Sequence, residues 1–408
     1  MNLEIPREII LKTKLGGFLK ENYEKYNDSK DSKRKQETFE IWNKTFIENK
    51  NLEKIKQRED LLRNLQVSSF IDENVVIGKD IIDVIMSKIK SANVITDKKV
   101  MPLFEEYLDG CENVFFIDSI TGDSLKEIIS VVGKSELPFL IGIGGGRVMD
   151  YLKYVMMNTN KFCLAIPSSL ATHVYASPKI HVLPAIAKMG VEKTIDGPVP
   201  DLAVIDINFL EKLQKNKPRL IRAGLGDLMA CITALVDWKL AEETTNVNYS
   251  VVDMTNVIIK NLEKIDVGKP LSEWILDYAF IQVLLCQISG WVGSAPVSGS
   301  EHLFALAVEQ DLKEPPLHGE LVALGTIIMS YVQGEDYKKI YQLVKKLGLS
   351  TSLSEIGLSK EQTIDALIKT KELGLKKGRF TVVNKLEMDK DYCETIVKNL
   401  LDEGIIQD

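Results

Sequence analysis

Cysteine and histidine are both scarce in this 408-residue chain. The five cysteines, Cys111, Cys163, Cys231, Cys286 and Cys393, include no pair close enough for a C-x-x-C motif. Most sit in apolar runs such as KFCLAIP and VLLCQIS, which reads as buried, reduced thiols in a reducing compartment. Basic charge is also in deficit. A net charge of -7 argues against a nucleic-acid-binding surface. No run of roughly 18 apolar residues occurs, so no membrane span is expected. The N-terminal MNLEIPREIILKTKLGGFLKENYEKYN is charged throughout and lacks an apolar segment followed by a small-residue cleavage site, so a cytoplasmic location is expected. Only four histidines occur, His173, His181, His302 and His318, and that scarcity singles out each of them.

What is present is an ordinary globular composition, 45% hydrophobic and 27% charged, in a chain too long for one core and suited to two domains plus an extension. Residues 1–65 read as a polar helical N-terminal extension. Over residues 66–210 strand-like apolar runs alternate with helical stretches. Strands are expected at FIDENVVIG (70–78), ANVIT (92–96), NVFFID (113–118), PFLIGIGGG (138–146), FCLAIP (162–167) and DLAVID (201–206). Helices are expected near 79–90, 99–108, 123–133 and 147–157. That alternation predicts an α/β domain built on a Rossmann-like parallel sheet covered by helices. Beyond residue 210 the strands stop. A long helical pattern at 218–243 and further helices up to residue 403 predict an all-α domain over residues 211–408.

Two clusters carry chemistry. Gly144, Gly145 and Gly146 sit where a buried strand turns into a helix. Such a turn lets backbone approach a phosphate and points free N–H groups and a positive dipole end at it. The motif G-I-G-G-G-R lacks the last glycine of G-x-G-x-x-G, and a tight turn without a ligand would use the same residues. Asp150 and Lys153 extend it to GGG-x-x-x-D-x-x-K. The second cluster is Asp227, His302 and His318. Two imidazoles and a carboxylate suit Zn²⁺, Fe²⁺ or Ni²⁺ and leave a coordination position open for substrate or water. Histidines on apolar helices also serve as plain core residues, so spacing alone leaves both readings standing.

Five blocks in order, GGGRVMDYLKY (144–154), IPSSLATHVYASP (166–178), RAGLGDLMACITALVDW (222–238), SGSEHLFALA (298–307) and LHGELVALGT (317–326), resemble the sn-glycerol-1-phosphate dehydrogenase branch of the iron-containing alcohol dehydrogenase and dehydroquinate synthase-like superfamily. The resemblance spans about residues 66–408. It implies a dehydroquinate synthase-like fold, and a glycine loop holding the pyrophosphate of NAD or NADP with Ser168 and Ser177 as further cofactor contacts. It also implies Asp97 beside the adenine ribose, and Asp227, His302 and His318 as metal ligands. Zn²⁺ is the first choice there, with Ni²⁺ or Fe²⁺ as alternatives. The partners it implies are a small-molecule substrate and further copies of the chain in a homo-oligomer.

Two positions depart from the family's pattern. His173 and Val174 replace an Asp-Gly pair of the substrate loop, and Leu306 stands where a second histidine usually contacts substrate. The expected activity is metal-dependent reduction of a small phosphorylated ketone, closest to dihydroxyacetone phosphate, by NAD(P)H. His173 is then a candidate proton relay or substrate contact, and Lys153 and Arg379 are candidate phosphate partners. The departures keep three alternatives open: the same chemistry on another polyol or phosphorylated substrate, a carbocycle-forming lyase of the dehydroquinate synthase type, and a non-catalytic ligand-binding homologue. Asp227 speaks against the lyase, which usually places Glu there.

Overall fold

The computed structural model describes residues 13–27, 52–62 and 69–408, save 90, 109–110, 182, 192–193 and 242–246, together with 33, 36, 37 and 40. The chain forms two compact units, the first comprising Met1–Asp31 and Thr38–Lys217 and the second Ser32–Glu37 and Pro218–Asp408.

The first unit is built on a seven-stranded sheet. Its strands are β1 (Ser69–Phe70), β2 (Val75–Gly78), β3 (Asn93–Thr96), β4 (Asn113–Phe116), β5 (Phe139–Gly144), β6 (Phe162–Pro167) and β9 (Leu202–Asp206), in spatial order β1-β2-β9-β6-β5-β3-β4. All neighbours are parallel except the antiparallel β1–β2 pair. β2, β3, β6 and β9 are buried along their whole length, as strands covered on both faces must be. Val76, Val94, Ile141, Ile143, Leu164 and Val204 share one core with Ile82 and Ile85 of the helix Ile81–Lys88 and with Phe104. Burying each such side chain stabilises by about 1.5–3 kcal/mol. Leu61, on the helix Leu52–Leu62, belongs to the same core, and Lys54 Nζ on that helix donates to Asp201 Oδ2 at 2.9 Å. Within residues 1–65, the helices Lys14–Asn27 and Leu52–Leu62 thus belong to the first unit, while residues 33, 36 and 37 group with the second.

Three stretches differ from their sequence pattern. FIDENVVIG is a tight hairpin rather than one strand, because the Asp72 carboxylate accepts from both Asn74 N and Val75 N at 2.7 Å and turns the chain. Residues 99–108 form two short 3₁₀ turns, Met101–Leu103 and Glu105–Tyr107, with Pro102 removing a backbone donor. A small antiparallel pair, β7 (Lys179–Ile180) and β8 (Ile195–Asp196), interrupts the βα alternation.

In the second unit every named element is helical. The stretch 218–243 is not one helix. It divides into Pro218–Leu228 and Ala230–Leu240 at Met229. Helix Leu271–Val292 is long and apolar enough to cross a membrane by length and composition, which no bare count of consecutive apolar residues reveals. Its most apolar window is 67% buried inside the protein, as a core helix is.

Candidate functional site: a glycine turn and an Asp-His-His trio

The glycine turn lies at the carboxyl end of β5, where strand passes into the helix Gly146–Met157. Packing accounts for some of its glycines. A Cβ at Gly142 would lie 2.8 Å from Leu152 Cδ2, and one at Gly144 only 2.4 Å from Val148 Cγ2, so the helix could not fold back on its strand. Gly145 is different, because a Cβ there would meet nothing within 4 Å. Its smallness serves no neighbour in the protein, which fits close approach of a ligand to the backbone. The helix that follows has no side-chain cap and no acidic residue in its first turn, which suits its N-terminal N–H groups to an anion.

The neighbouring strands bring the other cofactor candidates to the same sheet edge. Ser168 follows β6, and its N–H donates to the Gly144 carbonyl at 2.9 Å. Asp97 follows β3, whose Thr96 is in register with Ile143 of β5. Asp97 Oδ1 accepts from Lys99 N at 2.8 Å, and its Oδ2 lies 3.9 Å from Arg147 Nη2.

Asp150, Lys153 and Ser177 lie deeper. Lys153 is wholly buried; its Nζ donates to the carbonyls of Ser177, at 3.2 Å, and Lys179, and stands 3.7 Å from Asp150 Oδ1. Asp150 also accepts from His181 N at 3.0 Å. This network ties the helix Gly146–Met157 to the segment 177–181. It corrects the expectation that Lys153 is a phosphate partner, since its ammonium is turned inward and taken up by backbone. His173 is half-buried at the head of a turn in which Ala176 N donates to its carbonyl at 3.0 Å. Val174 and Tyr175 beside it are buried.

In the second unit Asp227, His302 and His318 come together. One ligand atom from each lies within 4.8 Å of the other two. Both imidazoles aim Nε2 at Asp227 Oδ1, His302 from 3.3 Å and His318 from 3.6 Å. Each opposite ring nitrogen is held by its own carboxylate, His302 Nδ1 by Glu301 Oε1 at 2.9 Å and His318 Nδ1 by Glu309 Oε1 at 2.7 Å. Carboxylates on Nδ1 fix the tautomer that presents an Nε2 lone pair to a metal. Glu301 is fully buried and further accepts from Thr233 Oγ1 at 2.7 Å and from Gly299 N. Burial alone would lower the pKa of His302, but hydrogen bonds to Asp227 and Glu301 outweigh it and hold the value at about 9. Two imidazoles, each oriented from behind by a carboxylate, together with the Asp227 carboxylate fit a divalent cation. Leu306, one turn after His302, is half-buried.

Sequence reading missed what assembles this trio. Helix Pro218–Leu228, which carries Asp227, meets helix His318–Gln333 at two glycines. A Cβ on Gly226 would lie 2.1 Å from the Gly319 carbonyl oxygen, and one on Gly319 1.6 Å from that of Ala223. Without side chains at both positions the backbones approach closely enough to bring His318 against Asp227. Arg219 locks the same pair of helices through a two-pronged ion pair with Glu320, 2.7 Å on each prong. The signal lay in glycines placed one residue before Asp227 and one after His318. Glu301 and Glu309 had no such mark.

Residues 51–212 match a family model described as iron-containing alcohol dehydrogenase. A glycerol-1-phosphate dehydrogenase [NAD(P)+] of Sulfurisphaera tokodaii is 31% identical over 82% of this chain and 97% of its own. One from Methanobrevibacter smithii is 30% identical over 72% of this chain and 82% of its own. Among solved structures, glycerol dehydrogenase from Schizosaccharomyces pombe superposes with a TM-score of 0.59 at 16% identity, covering 81% of this chain and 91% of its own. Sulfoacetaldehyde reductase from Bifidobacterium kashiwanohense, in complex with NAD+, gives 0.56 at 16% identity, covering 80% and 96%. These two share the α/β-plus-α-helical fold seen here.

Proposed function

The chain belongs to the glycerol-1-phosphate dehydrogenase branch of the iron-containing alcohol dehydrogenase superfamily, a group of NAD(P)-dependent dehydrogenases, and on that premise we propose that it reduces dihydroxyacetone phosphate to sn-glycerol 1-phosphate with NAD(P)H and a divalent metal. The observation that carries the reading is the trio itself, with Nε2 of His302 and His318 converging on Asp227 and both Nδ1 atoms held by carboxylates.

The roles of the chain's own residues follow from their placement. Gly145 gives the cofactor pyrophosphate access to backbone N–H groups at the start of the helix Gly146–Met157. Asp97, just after the strand beside the glycine turn, accepts from the adenine ribose, Ser168 flanks the same edge, and Ser177 is a further cofactor contact. Asp150 and Lys153 hold the segment 177–181 in place. Asp227, His302 and His318 hold the metal, zinc as first choice and nickel or iron as fitting alternatives. When bound, such an ion polarises the substrate carbonyl and stabilises the negative charge that builds on its oxygen as hydride arrives. Glu301 and Glu309 hold the two imidazoles turned so that Nε2 of each points at the metal position.

The test is oxidation of NADH and NADPH by dihydroxyacetone phosphate in protein stripped of metal and then reconstituted. Metal-dependent turnover supports the reading. Turnover that ignores the metal rejects it. His173, Val174 and Leu306 favour one second reading, the same chemistry on a different polyol or phosphorylated substrate, because they replace the family's substrate contacts. A screen of small phosphorylated ketones and polyols separates the two. If the loop sets the choice, the double change His173→Asp, Val174→Gly raises activity on dihydroxyacetone phosphate, and no rise removes the loop from the account.

A further inference from the structure

Arg379 is half-buried in the second unit, yet no carboxylate pairs with it among the described residues. Its Nη1 donates to the Ser298 carbonyl and, at 2.6 Å, to Ser298 Oγ; its Nη2 donates to Ser294 Oγ at 2.7 Å. All three acceptors are neutral. Burial lowers the guanidinium's pKa, and Glu301 and Asp237 oppose that shift from beyond ion-pair reach. Both of those acids are occupied. Glu301 holds His302, and Asp237 accepts from Ser300 N at 2.7 Å, Val382 N at 2.8 Å and Gln333 Nε2 at 3.0 Å.

Lys377 stands two residues before Arg379. Lys377 is exposed as a whole, yet partial desolvation and the charge of Arg379 both lower its pKa, with Glu309 acting the other way. The positive charge of Arg379 is felt at Lys377, and two cations within electrostatic reach of each other draw an anion between them. Their position relative to the trio is fixed by packing. A Cβ on Gly374 would lie 3.2 Å from Leu303 Cδ1 and 3.2 Å from the Arg379 carbonyl oxygen, so the end of helix Lys360–Lys376 rests on the helix that carries His302. Gly378 at φ 62° and Gly293 at φ 84° supply the left-handed turns beside Arg379 and Ser294. The charge of Lys377 acts on Glu309, which holds His318, and that of Arg379 on Glu301, which holds His302.

We propose that Arg379 and Lys377, with the hydroxyls of Ser294 and Ser298, form the subsite that takes the phosphate of the substrate whose carbonyl the trio receives. A guanidinium offers a planar fork of donors, an ammonium adds a point charge, and each serine keeps its own O–H to donate to a phosphate oxygen. Arg379 and Lys377 are binding residues in this account and touch no reacting atom.

The proposal rests on the reading of the substrate as a phosphorylated ketone, and kinetics keep the two apart. Zinc-loaded full-length protein is assayed with dihydroxyacetone phosphate and with unphosphorylated dihydroxyacetone, as wild type, Lys377→Ala and Arg379→Lys. Each change is expected to raise KM for the phosphorylated substrate at least about tenfold, and several times more than for dihydroxyacetone, with zinc content as in wild type. Equal changes for both substrates, or none, overturn it. Lys377 is exposed, so its variant folds whatever becomes of Arg379. If wild type turns over neither substrate, the functional reading fails and calorimetry with inorganic phosphate decides the subsite. Binding weakened about tenfold in both variants upholds it. No binding by wild type, or equal binding by all three, overturns it.

Discussion

Replacing Gly319 with alanine probes how the trio is put together. The new Cβ would lie 1.6 Å from the Ala223 carbonyl oxygen and 3.1 Å from Asp227 N. A helix carbonyl cannot swing aside as the tip of a flexible side chain can. Real Cβ contacts are essentially never shorter than 3.0 Å, so the helices Pro218–Leu228 and His318–Gln333 must part by at least about 1.4 Å. His318 is the residue before the substitution and moves with it. Metal–ligand distances tolerate only about 0.2 Å, so the shift takes Nε2 of His318 out of the ligand set. Overpacking costs about 1–3 kcal/mol of stability, and zinc affinity falls at least 10–100-fold, the scale expected for losing mere outer support. The assay is zinc titration of metal-free protein against a competing chelator, with thermal unfolding alongside. A Gly319→Ala protein that folds and binds zinc as tightly as wild type would refute the idea that this close helix contact sets the trio.

Four further outcomes follow from the same geometry. In metal-free protein the raised pKa of His302 contributes stability that is fully present below its unfolded value of about 6.5 and is lost as pH rises through about 9. A metal must displace that proton, so zinc affinity by calorimetry should fall about tenfold for each unit of pH below 9. Glu309→Gln removes the carboxylate behind His318 and should weaken zinc binding about 10–100-fold while leaving the fold intact; unchanged affinity would mean Glu309 does not orient the imidazole. Lys153→Met strips the buried donor from the Ser177 and Lys179 carbonyls and from Asp150, and should cost about 3 kcal/mol in urea unfolding. Gly145→Ala meets no neighbour, so it should leave stability and zinc affinity alone yet raise KM for NAD(P)H about tenfold if backbone approach to the pyrophosphate is its purpose.

The sheet was legible in the sequence because parallel strands buried on both faces read as short apolar runs: FCLAIP became β6 residue for residue, and PFLIGIGGG became β5 with its last two glycines passing into the turn and the next helix. What failed to show was decided by single polar atoms or by contacts distant along the chain. The Asp72 carboxylate makes a hairpin of FIDENVVIG, although its alternation alone suits one strand. Met229 is as good a helix former as its neighbours, so nothing local marks the break after Asp227. His302 and His318 stood out because histidine is rare here, and the family resemblance joined Asp227 to them. Glu309 is one of many glutamates, and only folding places it 2.7 Å from His318. Lys153 looked like a free cation because a sequence does not say which way a side chain on an apolar helix points, and here it points into the protein.

The central claim is that Asp227, His302 and His318 hold the metal on which hydride transfer depends. Its most direct test is metal content after reconstitution, read together with NADH oxidation by dihydroxyacetone phosphate, for wild type and Asp227→Ala. The account predicts about one ion per chain and metal-dependent turnover in wild type, with both lost in the variant. An Asp227→Ala protein that retains its metal and its turnover would contradict it.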